Sequence, residues 1–123
     1  MTIRGVVVEG KKLGRKLGFP TANILISEEL CVKNGVYRSR TMIEGEWMAS
    51  VTNVGHNPTT GVESRRVESY ILDFEGNIYG QTITVELVEM IREEQKFENI
   101  EALRTQVKAD IERVRAMCRP HKA

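Results

Sequence analysis

A change of period constrains this chain more than any other feature of its sequence. From residue 1 to about 91 it is a series of short β-rich runs broken by glycine, and from Ile100 the apolar positions recur three and four residues apart. The runs Arg4 to Val8, Gly35 to Ile43, Trp47 to Val54, Arg65 to Phe74 and Gln81 to Ile91 predict strands. Glu44-Gly45-Glu46 and Glu75-Gly76-Asn77 predict hairpin turns, because glycine supplies the positive φ that tight turns need, and strands joined this way are antiparallel. Ile100, Leu103, Val107, Ile111 and Val114 form one apolar stripe, with Asn99 placed to cap the helix and Pro120 beyond its end. Strands followed by one helix predict a mostly β fold, a barrel or sandwich packed by a single C-terminal helix, because barrel closure hides strand edges and the helix can cover an open end. No repeat, low-complexity tract or composition break divides the 123 residues, so one domain over 1–123 is expected.

Composition narrows the function classes. A net charge of +1 gives no general attraction to nucleic acid or a membrane surface, so an anionic partner must be gripped locally. The longest apolar runs, such as Val6-Val7-Val8, fall far short of the ~20 residues of a membrane helix. The N-terminus lacks a secretory apolar run, which predicts a cytoplasmic protein, and a monomer is expected. Cys31 and Cys118 stand apart from any Cys/His cluster and read as free thiols, while His56 and His121 form no catalytic pairing.

Two stretches compete as phosphate sites. Gly5 to Lys12 spells G-x-x-x-x-G-K but ends in Lys12 instead of Ser or Thr, and its Val6-Val7-Val8 is a strand inside the motif with no helix after it. A P-loop is therefore rejected. In the second stretch Gly10, Gly14 and Gly18 allow close backbone approach to an anion, surrounded by Lys11, Lys12, Arg15 and Lys16. Pro20 stiffens the adjoining backbone, so Thr21 and Asn23 fall two residues apart and on one side if the segment is extended. A hydroxyl and a carboxamide suit Mg²⁺, which takes few protein oxygens and completes its shell with water and phosphate. On composition alone, a solvated loop is the favoured explanation of the stretch.

The ordered pieces Gly5-x-Val7-x-x-Gly10 and Leu13-Gly14-Arg15-x-Leu17-Gly18-Phe19-Pro20-Thr21-Ala22-Asn23 closely resemble the signature of the riboflavin kinases. The resemblance continues through Gly35-Val36-Tyr37, Asn53-Val54-Gly55-x-x-Pro58-Thr59, Val67-Glu68, Leu72-Asp73-Phe74, Tyr79-Gly80, Ile91-Arg92 and Lys96-Phe97, covering essentially the full chain in order. It implies a six-stranded antiparallel Greek-key β-barrel with a C-terminal α-helix, converting riboflavin and ATP to FMN and ADP with Mg²⁺. By the same resemblance Thr21 and Asn23 fall at the metal and nucleotide phosphates, Gly10 and Arg15 in the loop around them, and Tyr79 at the nucleotide. Glu68 falls at the catalytic carboxylate, and Arg92 and Asn53 at the flavin pocket. Read as a strand, 65 to 74 puts Glu68 at the head of a row with Tyr70, Leu72 and Phe74.

The chain departs from the family pattern at Tyr70, where a His is common, and at Glu93, where a Pro is common. The second departure leaves room for an alternative, a flavin-binding regulatory module on the kinase scaffold with weak or no turnover. A barrel that phosphorylates another hydroxyl is a third reading. In bacteria the family domain usually follows an adenylyltransferase domain, so a second domain missing from this chain is a further expectation.

Overall fold

The computed structural model describes residues 1–8, 21–25, 32–56, 65–72, 74 and 78–118, without the side chains of Thr21, Leu25, His56, Arg65 and Cys118. Six strands, β1 (Thr2–Val8), β2 (Thr21–Leu25), β3 (Gly35–Ile43), β4 (Glu46–His56), β5 (Arg65–Ile71) and β6 (Thr82–Arg92), precede one helix, α1 (Ile100–Cys118). All neighbouring pairs are antiparallel and the sheet closes on itself in the order β1-β2-β5-β4-β3-β6. Strands β3, β4 and β5 follow one another, and β6 returns to lie beside β3, which is the Greek-key order. Closure leaves no strand edge open among them.

Several strand limits differ from the sequence reading. The segment 21–25, read only as a stiff extended stretch, is a sheet strand between β1 and β5. The β5 strand ends at Ile71, short of Phe74. The Glu44-Gly45 turn joins β3 to β4 with φ of 50° and 84°, a two-residue loop with both centres left-handed that matches the strand twist. Glu75-Gly76-Asn77 lies outside the described residues, but the strands flanking it are not partners: β5 pairs with β2 and β4, and β6 with β1 and β3. No hairpin therefore links β5 to β6, because barrel closure gives each strand a partner remote in sequence.

Strict alternation sorts the walls. Val7, Ile24, Ile43, Val54, Val67, Ile71, Ile83 and Val85 point inward into one buried cluster. At the inward positions of β3, β4 and β5 a chain of hydroxyls replaces apolar side chains. Thr41 Oγ1 lies 2.9 Å from Ser50 Oγ, Ser50 2.7 Å from Ser39, Ser39 2.7 Å from Thr52 Oγ1, and Thr52 2.6 Å from Ser69. All are buried, and each hydroxyl satisfies the next.

The helix does not cover an open end of the barrel, as its position in the sequence suggested. Val107, Ile111 and Val114 lie instead against outward-facing side chains of the wall, Val36 on β3, Val51 on β4, Tyr70 and Leu72 on β5, and Ile91 on β6. Those outward positions are apolar where α1 crosses them and charged elsewhere on the same strands, as at Arg38 and Arg40 of β3. Asn99 caps the helix as its position predicts, its Oδ1 accepting from the Ala102 amide at 2.8 Å. Among the described residues no helix is long and apolar enough to cross a membrane.

The hydroxyl chain can be tested with an isosteric change. Thr52→Val keeps the volume but leaves Ser39 and Ser69 each short of a partner in a dry interior. Urea unfolding should show a loss of about 1–3 kcal/mol.

Candidate active site

The register of β5 assembles the site. Asn23 of β2 is the cross-strand partner of Glu68, and Glu68 is in turn the partner of Asn53 of β4. Directly opposed residues share a face, so Asn23, Glu68 and Asn53 form one row across three strands on the outer wall. Inward-pointing neighbours fix that assignment, since Ala22, Ile24, Val67, Ser69 and Val54 are all buried on the barrel side. Thr21 is the register partner of Tyr70, next along the same face. The extended-segment reading of Thr21 and Asn23 thus holds for the backbone, while the Thr21 side chain, Gly10 and Arg15 lie outside the described residues.

Glu68 is buried although it stands on the outer wall. Burial pushes its carboxyl above the usual carboxylate range, an effect opposed by the nearby Arg66 guanidinium and by a hydrogen bond from the Tyr70 hydroxyl. Arg66 Nε lies 3.9 Å from Glu68 Oε2, close enough for charge attraction but too long for a hydrogen bond. The Tyr70 phenol is itself held well above its ordinary value, first by burial and then by the Glu68 charge. Tyr70, noted in the sequence as a departure from the family pattern, here hydrogen-bonds the carboxylate it follows by two residues.

Beside this row lies a cleft of about 190 Å³ between the wall and α1. Asn53, Arg66 and Tyr70 form its strand side, Leu103 and Val107 its helix side, and Arg92 and Phe97 one end. Arg92 is the last residue of β6, where two register shifts against β3 distort the strand, and its neighbour Ile91 joins the α1 cluster. Its guanidinium is not a free surface cation. Nε donates to Asp110 Oδ1 at 3.0 Å and Oδ2 at 3.1 Å, Nη2 donates to Oδ2 at 2.8 Å, and the group lies 5.8 Å from the Phe97 ring centroid. Gln106 Nε2 donates to the same Asp110 at 3.0 Å.

Asp110 escaped the sequence reading, although a signal was present. It stands between Val107 and Ile111 in the apolar stripe of α1, where an acidic side chain breaks the pattern and needs a buried partner. Glu93 pairs with Lys33 at 2.7 Å, both of them exposed, so that pair adds little to stability. Tyr79 is on the far side of the row. Its turn bonds to β1 through Gly80 N to Val7 O at 2.8 Å, and β1 adjoins β2 at Val8 and Asn23.

A family model described as riboflavin kinase, or flavokinase, matches residues 1–118. The chain belongs to the riboflavin kinase family. It is 38% identical over 119 residues to a bifunctional riboflavin kinase/FMN adenylyltransferase of Pseudomonas fluorescens, covering 96% of this chain and 38% of that protein. It is 41% identical over 110 residues to an RNA-binding riboflavin kinase of Bacillus subtilis, covering 89% of this chain and 47% of the relative. This family member thus spans less than half the length of either relative.

Among solved structures, it superposes on a riboflavin kinase from Trypanosoma brucei with a TM-score of 0.66 and 27% identity, covering 94% of this chain and 78% of that one. It also superposes on a Streptococcus pneumoniae protein described as a macrolide-efflux protein with a TM-score of 0.84 and 36% identity, covering 93% of this chain and 38% of the other.

These contacts set the sign of two substitutions. Asp110→Ala leaves Arg92 without its carboxylate partner at the helix contact, and denaturant unfolding should show a loss of about 3 kcal/mol. Glu68→Gln has the opposite sign at neutral pH. A raised carboxyl pKa means that ionised Glu68 is disfavoured in the fold, so its contribution is retained below the unfolded pKa and lost as pH rises through the folded one. The variant should melt at or above the wild-type temperature at pH 7, and its advantage should disappear on acidification towards the ordinary carboxylate value.

Proposed function

We propose that this chain is a riboflavin kinase that transfers the γ-phosphate of MgATP to the terminal ribityl hydroxyl of riboflavin, giving FMN and ADP. The observation that carries the reading is the cross-strand row Asn23–Glu68–Asn53 beside the cleft. It puts Asn23 and Asn53 on opposite flanks of one buried carboxylate, which supports reading one flank as the phosphate side and the other as the acceptor side.

In this reading the nucleotide phosphates lie along β2. Thr21 and Asn23 supply neutral oxygens of the type Mg²⁺ accepts when it also keeps water and phosphate oxygens. A cation held there would supply charge neutralisation for the transferring phosphoryl group. Gly10 and Arg15 approach the same phosphates, and Tyr79 flanks the nucleotide from the β1 side. Riboflavin occupies the cleft, with its ring system towards Phe97 and Arg92 and its ribityl chain running to Glu68.

Glu68 then accepts the proton of the primary hydroxyl as that oxygen bonds to the γ-phosphorus and the bond to the ADP oxygen breaks. Burial suits the carboxyl to this work, because a base whose pKa is raised holds the proton more firmly while remaining ionised above that pKa. The Tyr70 hydroxyl and Arg66 restrain the carboxylate on the face that the substrate approaches. Asp110 holds Arg92 at the cleft wall, so the helix contributes to the flavin end without touching the phosphates.

The direct test is incubation with riboflavin and MgATP, with a metal-free control, followed by chromatography for FMN. FMN formed only with metal supports the kinase. Riboflavin binding without FMN favours the regulatory module, and phosphorylation of a different alcohol favours the third reading. Glu68→Gln should lower kcat by about 10²-fold or more while nucleotide still binds. The acid limb of wild-type kcat should lie above the ordinary carboxylate pKa. Asn23→Ala should raise the MgATP requirement, and an unchanged metal dependence would remove it from the phosphate site.

A further inference from the structure

Asn53 presents a problem that the fold does not solve. Its side-chain oxygen Oδ1 is fully buried and has no hydrogen-bond partner among the described residues. A buried acceptor left this way is destabilising, so a structural role is a poor explanation for it. Its surroundings define what could satisfy it. A methyl group built on Gly55 would strike the Glu94 carboxylate and lie 3.9 Å from Asn53 Oδ1, so this corner of the cleft gathers oxygen acceptors. The cations on the cleft wall are directed elsewhere, Arg92 to Asp110 and Arg66 towards Glu68. The corner therefore suits a ligand group that donates, an O–H or N–H, and disfavours an anion.

We infer that the Asn53 side-chain carbonyl accepts a hydrogen bond from a secondary hydroxyl of the ribityl chain, which makes Asn53 a specificity-determining residue for the acceptor substrate. The inference rests on the proposed kinase reading and adds to it which part of the flavin Asn53 reads. Position decides between the possible donors. Asn53 is the direct cross-strand partner of Glu68, and such side chains start about 5 Å apart at Cβ. With the reacting primary alcohol at Glu68, a donor that reaches Asn53 belongs to a neighbouring carbon of the same chain. The imide N–H of the flavin ring is at the opposite end of the molecule.

The test compares riboflavin with its 3′-deoxy, 4′-deoxy and N3-methyl analogues, on wild type and on Asn53→Ala. Binding is read by flavin fluorescence, turnover by FMN-type product, and apo stability by thermal melting. Wild type should lose about tenfold in kcat/KM on at least one deoxy analogue, in line with one hydrogen bond to a buried acceptor. Asn53→Ala should lose a similar factor on riboflavin, mainly through KM, and should no longer distinguish that analogue from riboflavin. The N3-methyl analogue should behave alike in both proteins. Apo Asn53→Ala should melt at or above the wild-type temperature, a result that a structural asparagine would not give.

Undiminished discrimination against both deoxy analogues in Asn53→Ala would overturn the inference, as would a penalty that vanishes only for the N3-methyl analogue or a melting temperature lowered by several degrees. A wild type that neither binds nor phosphorylates riboflavin would overturn the kinase reading as well. That result is separate from a working kinase whose Asn53 is indifferent to the ribityl hydroxyls.

Discussion

The pairing of β5 between β2 and β4 is the constraint on which the rest of the structure depends. Because strand side chains alternate, a slip of one residue at either border would turn Glu68 into the barrel and break the row with Asn23 and Asn53. The register is held from the inner face. Val67 and Ile71 are buried in the apolar interior, and Ser69 between them is tied to Thr52, the head of a hydroxyl chain that crosses to Ser39, Ser50 and Thr41. A slipped strand would leave those hydroxyls unpaired in a dry core, so the polar chain rejects wrong registers more strongly than methyl groups would. The inner face aligns the wall, and the outer face carries the row of Asn23, Glu68 and Asn53.

On that outer face several groups are poorly suited to stability. Glu68 is an acid buried with only a distant guanidinium and one phenol beside it, and Asn53 holds an acceptor that nothing described satisfies. Local conflicts of this kind gather where a site is shaped for a ligand and are compensated elsewhere. Here the compensation is the closed ladder of six strands together with the apolar contact of Val107, Ile111 and Val114 on the wall. The helix serves two ends in one stripe, since it buries the outer wall and presents Asp110 to Arg92. The cleft wall at Arg92 and helix docking are thereby linked through one ion pair.

Much of this is legible in the chain of residues alone. The glycine-punctuated strands, the Glu44-Gly45 turn, the Asn99 cap and the stripe of α1 obey local rules, because each depends on residues near in sequence. Motif resemblance pointed to Asn23, Glu68, Asn53 and Arg92 as site residues, and their positions in the fold are a row and the wall of the adjoining cleft. The false hairpin at 75–77 and the misplaced helix have a common cause. Turn chemistry states that the chain reverses but not which strand it then joins, and an apolar stripe states that a face is buried but not against what. An acid inside the stripe of α1 likewise states that Asp110 needs a buried partner but not which one, since Arg92 is 18 residues away on another element.

The sequence by itself determined the class of element along the chain, the donors and acids available for chemistry, and the family to which they belong, since these are encoded in spacing and side-chain type. Tertiary structure alone decided that residues 23, 53 and 68 stand abreast, that Glu68 is desolvated, and that Arg92 is bound to the helix. The physical reason is that strand neighbours in a closed barrel are chosen by the global balance of buried area and satisfied hydrogen bonds, which no local stretch contains.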